Sequence, residues 1–230
     1  MVSFRFFIYA VSASLLLLSC RSTYPRPEFA ESAPDIRSSE SLLRGFRGSW
    51  PSSGTLRHSA LLEFRGIRVS ALGMCSFDSS SGEAALAMFT TTGMKILQVG
   101  SDDGVLRWDF RLKGIEDERR AAENLIGDVK GVFIHPKGAP DYRVIRGNAL
   151  VFGWREGDGG SVELVFGVPR GAADGKARLM EKFFLVEGRS VKEVFYYDYS
   201  KASALPSRIR VENGGAGYDL TLKSIDGGRR

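Results

Sequence analysis

Short segments of alternating apolar and polar residues, punctuated by Gly and Asp turns and broken once by a helix-like stretch, constrain this chain more than any other feature. From Gly54, the residues Leu56, His58, Ala60, Leu62 and Phe64 fall on one face and Arg57, Ser59, Glu63 and Arg65 on the other. That period of two is the mark of a strand with one buried side. A second strand, Ile67 to Phe77, follows Gly66. Asp78-Ser79-Ser80-Ser81-Gly82 turns into Glu83 to Thr90, and Thr91-Thr92-Gly93 turns into Met94 to Val99. Ser101-Asp102-Asp103-Gly104 is the clearest hairpin signal, because Asp-Gly suits a turn that needs positive φ. It leads into Val105–Phe110, where Leu106, Trp108 and Phe110 alternate with charge.

Ile115 to Lys130 then predicts a helix, with Ile115, Ala122, Ile126 and Val129 on one face. Glu116 and Arg120 are spaced to pair at i,i+4, Gly131 reads as a stop signal, and His135-Pro136 breaks the chain. Strands resume over Tyr142–Ile145, Ala149–Trp154, Val162–Val168, Ala177–Val186, Val191–Tyr199, Ser207–Glu212 and Tyr218–Ser224. Short strands joined by hairpins predict one antiparallel sheet of about eleven strands. Gly66, Gly73 and Gly153 are expected to mark bulges or bends in it. A short helical entry over Ser41–Phe46, ended by Gly45 or Gly48, precedes the first strand.

The N-terminus carries a different signal. Arg5 precedes an apolar run of 13 residues, Phe6 to Leu18, too short to span a bilayer that needs about 20. Such a run fits the apolar region of an export signal. Leu17-Leu18-Ser19-Cys20 resembles a bacterial lipoprotein processing box, so residues 1–19 read as a signal peptide and Cys20 as the first mature residue, its thiol carrying lipid such as palmitate. Arg21 rather than Asp follows Cys20, which resembles an outer-membrane address. Residues 20–39, with Tyr24-Pro25-Arg26-Pro27 and Ala33-Pro34, read as a flexible lipid-anchored tether. Residues 40–230 read as the folded domain.

Charge and chemistry exclude several classes. The 32 Lys and Arg against 27 Asp and Glu are interspersed, with no basic run of the kind that tracks phosphates, so no nucleic-acid partner is expected. Once Cys20 is acylated, Cys75 has no partner and reads as a small buried side chain. His58 falls in the apolar register of its strand, and His135 reads as exposed after the helix. Two isolated histidines and one thiol give no zinc spacing, and no G-x-S-x-G elbow is present. No enzyme activity, metal or cofactor is expected.

The order of elements resembles the LolA/LolB-like family, most closely its LolB-type members. Two segments carry the resemblance best: Leu86-Ala87-Met88-Phe89-Thr90-Thr91-Thr92-Gly93-Met94, and Val194-Phe195-Tyr196-Tyr197-Asp198-Tyr199 followed by Leu205-Pro206-Ser207-Arg208-Ile209-Arg210-Val211. The resemblance implies a mainly β fold, a strongly curved half-open antiparallel β-barrel with one or two helices covering an apolar concavity. Leu62, Phe64, Leu86, Met88, Leu106, Trp108, Phe110, Ile126, Phe184 and Tyr197 are the candidates to line it, with Val165 a further inward-facing residue. The family implies a monomeric lipoprotein on the periplasmic side of the outer membrane. It would bind acyl chains or acylated proteins, receive them from a periplasmic carrier, and pass them to the membrane. LolB-type receptors also carry an exposed apolar residue on a loop. The polar turns Ser79-Ser80-Ser81 and Ser101-Asp102-Asp103 offer none. The other reading is an adaptor lipoprotein with a filled core, docking a partner in an envelope assembly.

Overall fold

A computed structural model describes residues 25–31, 33–64, 66–111, 115–157, 159–200 and 205–225. Cys20 and the residues 1–19 read as an export signal lie outside these. Twelve strands form a single antiparallel sheet: β1 (Ser53–Phe64), β2 (Ile67–Asp78), β3 (Glu83–Phe89), β4 (Lys95–Asp102), β5 (Val105–Phe110), β6 (Tyr142–Arg146), β7 (Ala149–Arg155), β8 (Gly160–Gly167), β9 (Arg178–Val186), β10 (Arg189–Tyr199), β11 (Pro206–Asn213) and β12 (Tyr218–Ser224). Its order is β5-β4-β3-β2-β1-β12-β11-β10-β9-β8-β7-β6. Two meanders therefore meet where β12 pairs with β1, with Leu62 opposite Leu220 and Phe64 opposite Tyr218. The sheet is curled and unclosed, and its edges are β5 and β6. The half-open barrel expected from the resemblance is present, with twelve strands rather than about eleven.

Helix α1 (Ser39–Ser49) enters the first meander, and helix α2 (Glu118–Phe133) crosses the concavity between the two edge strands. Asp117 starts α2, its carboxylate accepting the Arg120 backbone N–H at 2.9 Å. Glu116 precedes the helix, so the expected Glu116–Arg120 pair is replaced by Arg119–Glu123 at 3.1 Å. Ala122, Leu125, Ile126, Val129, Val132 and Phe133 form the buried stripe. Gly131 does not stop the helix, which runs on to Phe133. A Cβ there would sit 3.1 Å from Cζ of Phe184, so this glycine lets helix and sheet approach.

The bulges do not fall at the glycines expected to mark them. The register breaks lie at Met88/Phe89, Val165/Phe166 and Ser190/Lys192. Gly66 sits in the β1–β2 turn at φ +79°, and Gly73 and Gly153 keep regular pairing. Their missing side chains admit neighbours instead: a Cβ on Gly73 would meet His58 at 2.5 Å, and one on Gly153 would meet the Tyr142 ring at 2.0 Å.

The segment read as tether is partly docked on the outer face of the sheet. Phe29 packs with Ala149, Val151, Val165 and Phe183. Ala30 N–H donates to Val168 O at 2.8 Å, and Arg170 N–H donates to Glu28 O at 2.9 Å. Arg26 pairs with Glu193 at 2.7 Å and lies over the Phe183 and Phe195 rings. Residues 25–30 thus behave as a strap across β7–β10.

Candidate functional site

The concave face divides along α2. Beneath the C-terminal half of the helix the space is solid. Phe133 stacks on Phe77 with ring centroids 4.5 Å apart, and Phe46, Trp50, His135, Phe166 and Tyr196 pack edge to face around them. This half is also fixed by polar contacts. Tyr196 hydroxyl donates to Val132 O at 3.0 Å and Trp50 Nε1 to Phe133 O at 3.0 Å. Lys182, 1% exposed, donates from Nζ to Gly131 O at 2.7 Å and Ile134 O at 2.8 Å. Those carbonyls end the helix and have no intrahelical donors, so a buried ammonium serves as their cap. Burial lowers the Lys182 ammonium to about 7, helped by the Lys192 charge.

One turn earlier, Asp128 is wholly buried. Its carboxylate pairs with Lys192 at 2.8 Å, accepts Asn213 Nδ2 at 3.0 Å and accepts the Tyr218 hydroxyl. His135, expected to be exposed, is half-buried: its Nδ1 lies 3.3 Å from Lys182 Nζ, and burial first, then Lys182 and Arg47, hold its ring well below the ordinary range.

Beneath the N-terminal half of α2 the concavity is hollow. A cavity of about 430 Å³ is walled by Leu62 and Phe64 of β1, Ile67 and Val69 of β2, Leu97 of β4 and Phe110 of β5. Its roof is Ile115, Ala121, Asn124 and Leu125, and the turn Gly215–Ala216 with Tyr218 closes one side. These residues meet because Leu62 pairs across the hairpin with Val69, Phe64 with Ile67, and Leu97 with Phe110, so each pair shares a face. Glu116, Asp117 and Arg120 stand at the mouth, all exposed. The walls are apolar and the rim is charged, the build of a site for an amphiphile.

Of the ten residues expected to line the hollow, Leu62, Phe64 and Phe110 do so. Leu86, Met88 and Ile126 are core, at most 5% exposed. Leu106 is half-buried at the sheet edge. Trp108 faces inward opposite Val99, yet sits on edge strand β5 and is 39% exposed. Phe184 lies between the Lys182 and Lys192 ammonium groups, 5.0 and 5.2 Å from its centroid. Tyr197 is a correction: it belongs to the outer face, opposite Arg208, and its hydroxyl donates to Pro25 O at 3.2 Å. Val165 is likewise outward, under Phe29. Sequence reasoning missed Ile67, Val69, Leu97 and Leu125, although the hairpin around Gly66 already pairs the first two with Phe64 and Leu62. An exposed apolar loop residue is also present: Met94, after the β3–β4 turn, is 67% exposed.

His58 is wholly buried, as its register implied, and burial lowers its pKa to about 4. Cys75 is buried too, and burial raises its thiol to about 12. A larger groove, about 710 Å³, opens on the outer face between the strap and β6–β10. Its polar floor is internally satisfied. Arg146 pairs in bidentate fashion with Glu163 at 2.9 Å, and the Tyr142 hydroxyl donates to the same carboxylate at 2.7 Å. Burial acts to raise the Glu163 carboxyl, but these bonds outweigh it and hold it below its ordinary range.

No family model and no curated protein matches this chain. Among solved structures it is similar to a LolA superfamily protein from Nitrosomonas europaea, at 11% identity and TM-score 0.46, over 82% of this chain and 91% of that one. It is also similar to a domain designated an outer membrane lipoprotein-sorting protein from Vibrio parahaemolyticus, at 12% identity and TM-score 0.43, over 81% and 89%. A DUF1329 family protein from Desulfovibrio piger aligns at 11% identity and TM-score 0.35, over 86% and 96%. At these distances the function must be argued from the hollow itself.

Proposed function

We propose that this protein binds acyl chains in the hollow beneath the N-terminal half of α2 and takes part in moving lipid or acylated protein to the outer membrane. The observation that carries the reading is the contrast within one concavity: apolar, open and charged at its rim at one end, packed solid at the other. Each methylene taken from water into such a site contributes about 0.8 kcal/mol. Transfer then needs no covalent chemistry, only a lower free energy for the chain in the next site. The Leu17-Leu18-Ser19-Cys20 box supports a lipid anchor on Cys20, and Arg21 supports an outer-membrane address with the domain facing the periplasm. Among the described residues no helix is long and apolar enough to cross a membrane. Met94, exposed beyond the β3–β4 turn, supports contact with a bilayer surface. No catalytic role is proposed: His58 and Cys75 lie in the core, and the His135 ring is enclosed by Phe46 and Trp50.

The test is native mass spectrometry of the full chain carrying Cys20→Ser, which removes the acylated thiol and leaves the described domain unchanged. Co-purifying lipid, displaced by an added fatty-acid analogue, is the expected result. Absence of lipid together with no binding of the analogue would reject the reading. The adaptor reading draws on the solid half of the concavity and on Leu72 and Met74, whose side chains lie 41% and 47% exposed on the outer face. It predicts that mutating those two residues, and not the hollow, abolishes function in cells.

A further inference from the structure

Leu72 and Met74, exposed on the outer face, are not isolated apolar residues. Strand register sets Leu72 between Ser59 of β1 and Phe89 of β3, and Met74 between Arg57 and Ala87. Leu61 lies on the same face, opposite Ser70. Side chains of one parity share one side of a sheet, so Leu61, Leu72, Met74, Ala87 and Phe89 make one apolar strip across β1–β3. None of these five is fully buried. The other half of the outer face carries apolar residues too, Val151 and Val165, but there Phe29 of the strap packs over them. A contiguous uncovered strip of this kind marks an interaction surface, where scattered single residues would not.

What faces the strip follows from where the N-terminal strap meets the sheet. Pro25 O accepts the Tyr197 hydroxyl at 3.2 Å, and Pro25 shares a small outer-face cavity with Arg208, Arg210 and Thr221. Thr221 of β12 is paired with Leu61 of β1. At a strand spacing of about 4.8 Å and a rise of about 3.3 Å per residue, Leu72 lies about 12 Å from Thr221 and Met74 about 16 Å, on the same face. Cys20 is five residues before Pro25, and five residues reach at most about 18 Å. The strap is itself fixed to the sheet through Arg26–Glu193 at 2.7 Å and through Phe29. A lipid on Cys20 therefore holds this part of the outer face beside the headgroups. Arg57 next to Met74, and Lys223 opposite Ser59, are exposed cations suited to lipid phosphates. We propose that the strip on β1–β3 docks on the surface of the anchoring bilayer, an inference that rests on acylation of Cys20. The adaptor reading gives Leu72 and Met74 to a protein partner; the position of the anchor gives them to lipid.

The experiment uses the full chain, purified from membranes and reconstituted in vesicles of phosphatidylethanolamine and phosphatidylglycerol, with an environment-sensitive NBD label on Met74→Cys. Cys75 is wholly buried and an acylated Cys20 is blocked, so the introduced thiol takes the label. A second preparation carries the label on Ile145→Cys, an exposed site on the concave side of edge strand β6. The label at 74 should brighten about three-fold on the vesicles and be quenched by doxyl lipid, and the label at 145 should do neither. A chain that floats with the vesicles while the label at 74 stays dark would overturn the docking face and leave the anchor standing. Failure to float would instead remove the acylation reading, and the proposal with it. Brightening that grows with protein per vesicle and resists doxyl lipid would give the strip to a second copy of the chain and overturn the proposal. Leu72→Glu is an exposed change that leaves the fold alone. It should cut quenching of the label at 74 at least about two-fold while flotation persists, and unchanged quenching would overturn the role of the strip.

Discussion

Replacing Asp128 by Ala tests the contact that separates the fixed half of α2 from the half that roofs the hollow. Asp128 is 0% exposed, and its carboxylate is the shared acceptor for Lys192, Asn213 and Tyr218. Removing it leaves the Lys192 ammonium, whose side chain is 17% exposed, without its counter-ion and beside the Phe184 ring. It also leaves a buried amide and a phenol short of an acceptor. Breaking a buried pair by deleting one partner costs about 3–5 kcal/mol, and the loss of the Asn213 and Tyr218 bonds to the same carboxylate places the expected cost in the upper part of that range. For a domain of this size such a loss lowers the melting temperature by about 6–20 °C. The assay is equilibrium urea unfolding followed by tryptophan fluorescence. The double variant Asp128→Leu/Lys192→Met, which replaces the pair with apolar groups of similar bulk, should recover at least about 2 kcal/mol of the loss. A cost below about 1 kcal/mol for Asp128→Ala, or no recovery in the double variant, would refute the view that this cluster holds the helix down.

Other consequences follow from single groups. His58 is neutral in the fold, its pKa held near 4 by burial against an ordinary 6.5. Its folded pKa is lowered, so its contribution is intact above pH 6.5 and is lost as pH falls towards 4, about 2–3 kcal/mol by pH 4.5. His58→Leu should flatten that part of the urea midpoint against pH, and an unchanged acid slope would reject the assignment. Gly153→Ala would put a Cβ 2.0 Å from Tyr142 Cζ and force the ring off Glu163. A loss of about 1–3 kcal/mol in thermal unfolding is expected, and a neutral outcome would contradict the packing. Phe29→Ala should release the strap: amide exchange at Ala30 and Arg170 should accelerate while α2 stays protected, and unchanged exchange would show that Phe29 does not hold it.

The strands were legible wherever one face of the sheet meets water. From Leu56 to Phe64 alternation alone gave the register, because Arg57 and Ser59 face outward on an uncovered surface. The signal fails on β7–β10, where Val165 and Tyr197 were turned the wrong way. There the strap covers the outer face, so Phe195 and Val165 are buried outward while Val194 and Tyr196 are buried inward. A run such as Val194-Phe195-Tyr196-Tyr197 carries no period when both sides are dry. The strap was missed because its composition is that of a linker, and one phenylalanine with a few main-chain bonds suffices to dock it. Gly131 misled because a glycine that admits an aromatic ring cannot be told by sequence from one that ends a helix. The buried charges Asp128 and Lys182 were illegible for a related reason: each sits where pattern demands an apolar residue and is explained only by partners far away in the chain. Leu62, Phe64 and Phe110 were found from strand parity. The boundary between hollow and solid core depends on where Phe133 and Trp50 land, which no local pattern encodes.

The most direct test of the account is photolabelling of the full chain carrying Cys20→Ser with a fatty acid bearing a diazirine near its methyl end, followed by peptide mapping. The account predicts adducts on the peptides containing Leu62, Val69, Leu97, Phe110 and Leu125, and their loss on competition with unlabelled single-chain lipid. Adducts concentrated on the outer-face groove around Tyr142 and Phe183, or spread without competition over the surface, would contradict it.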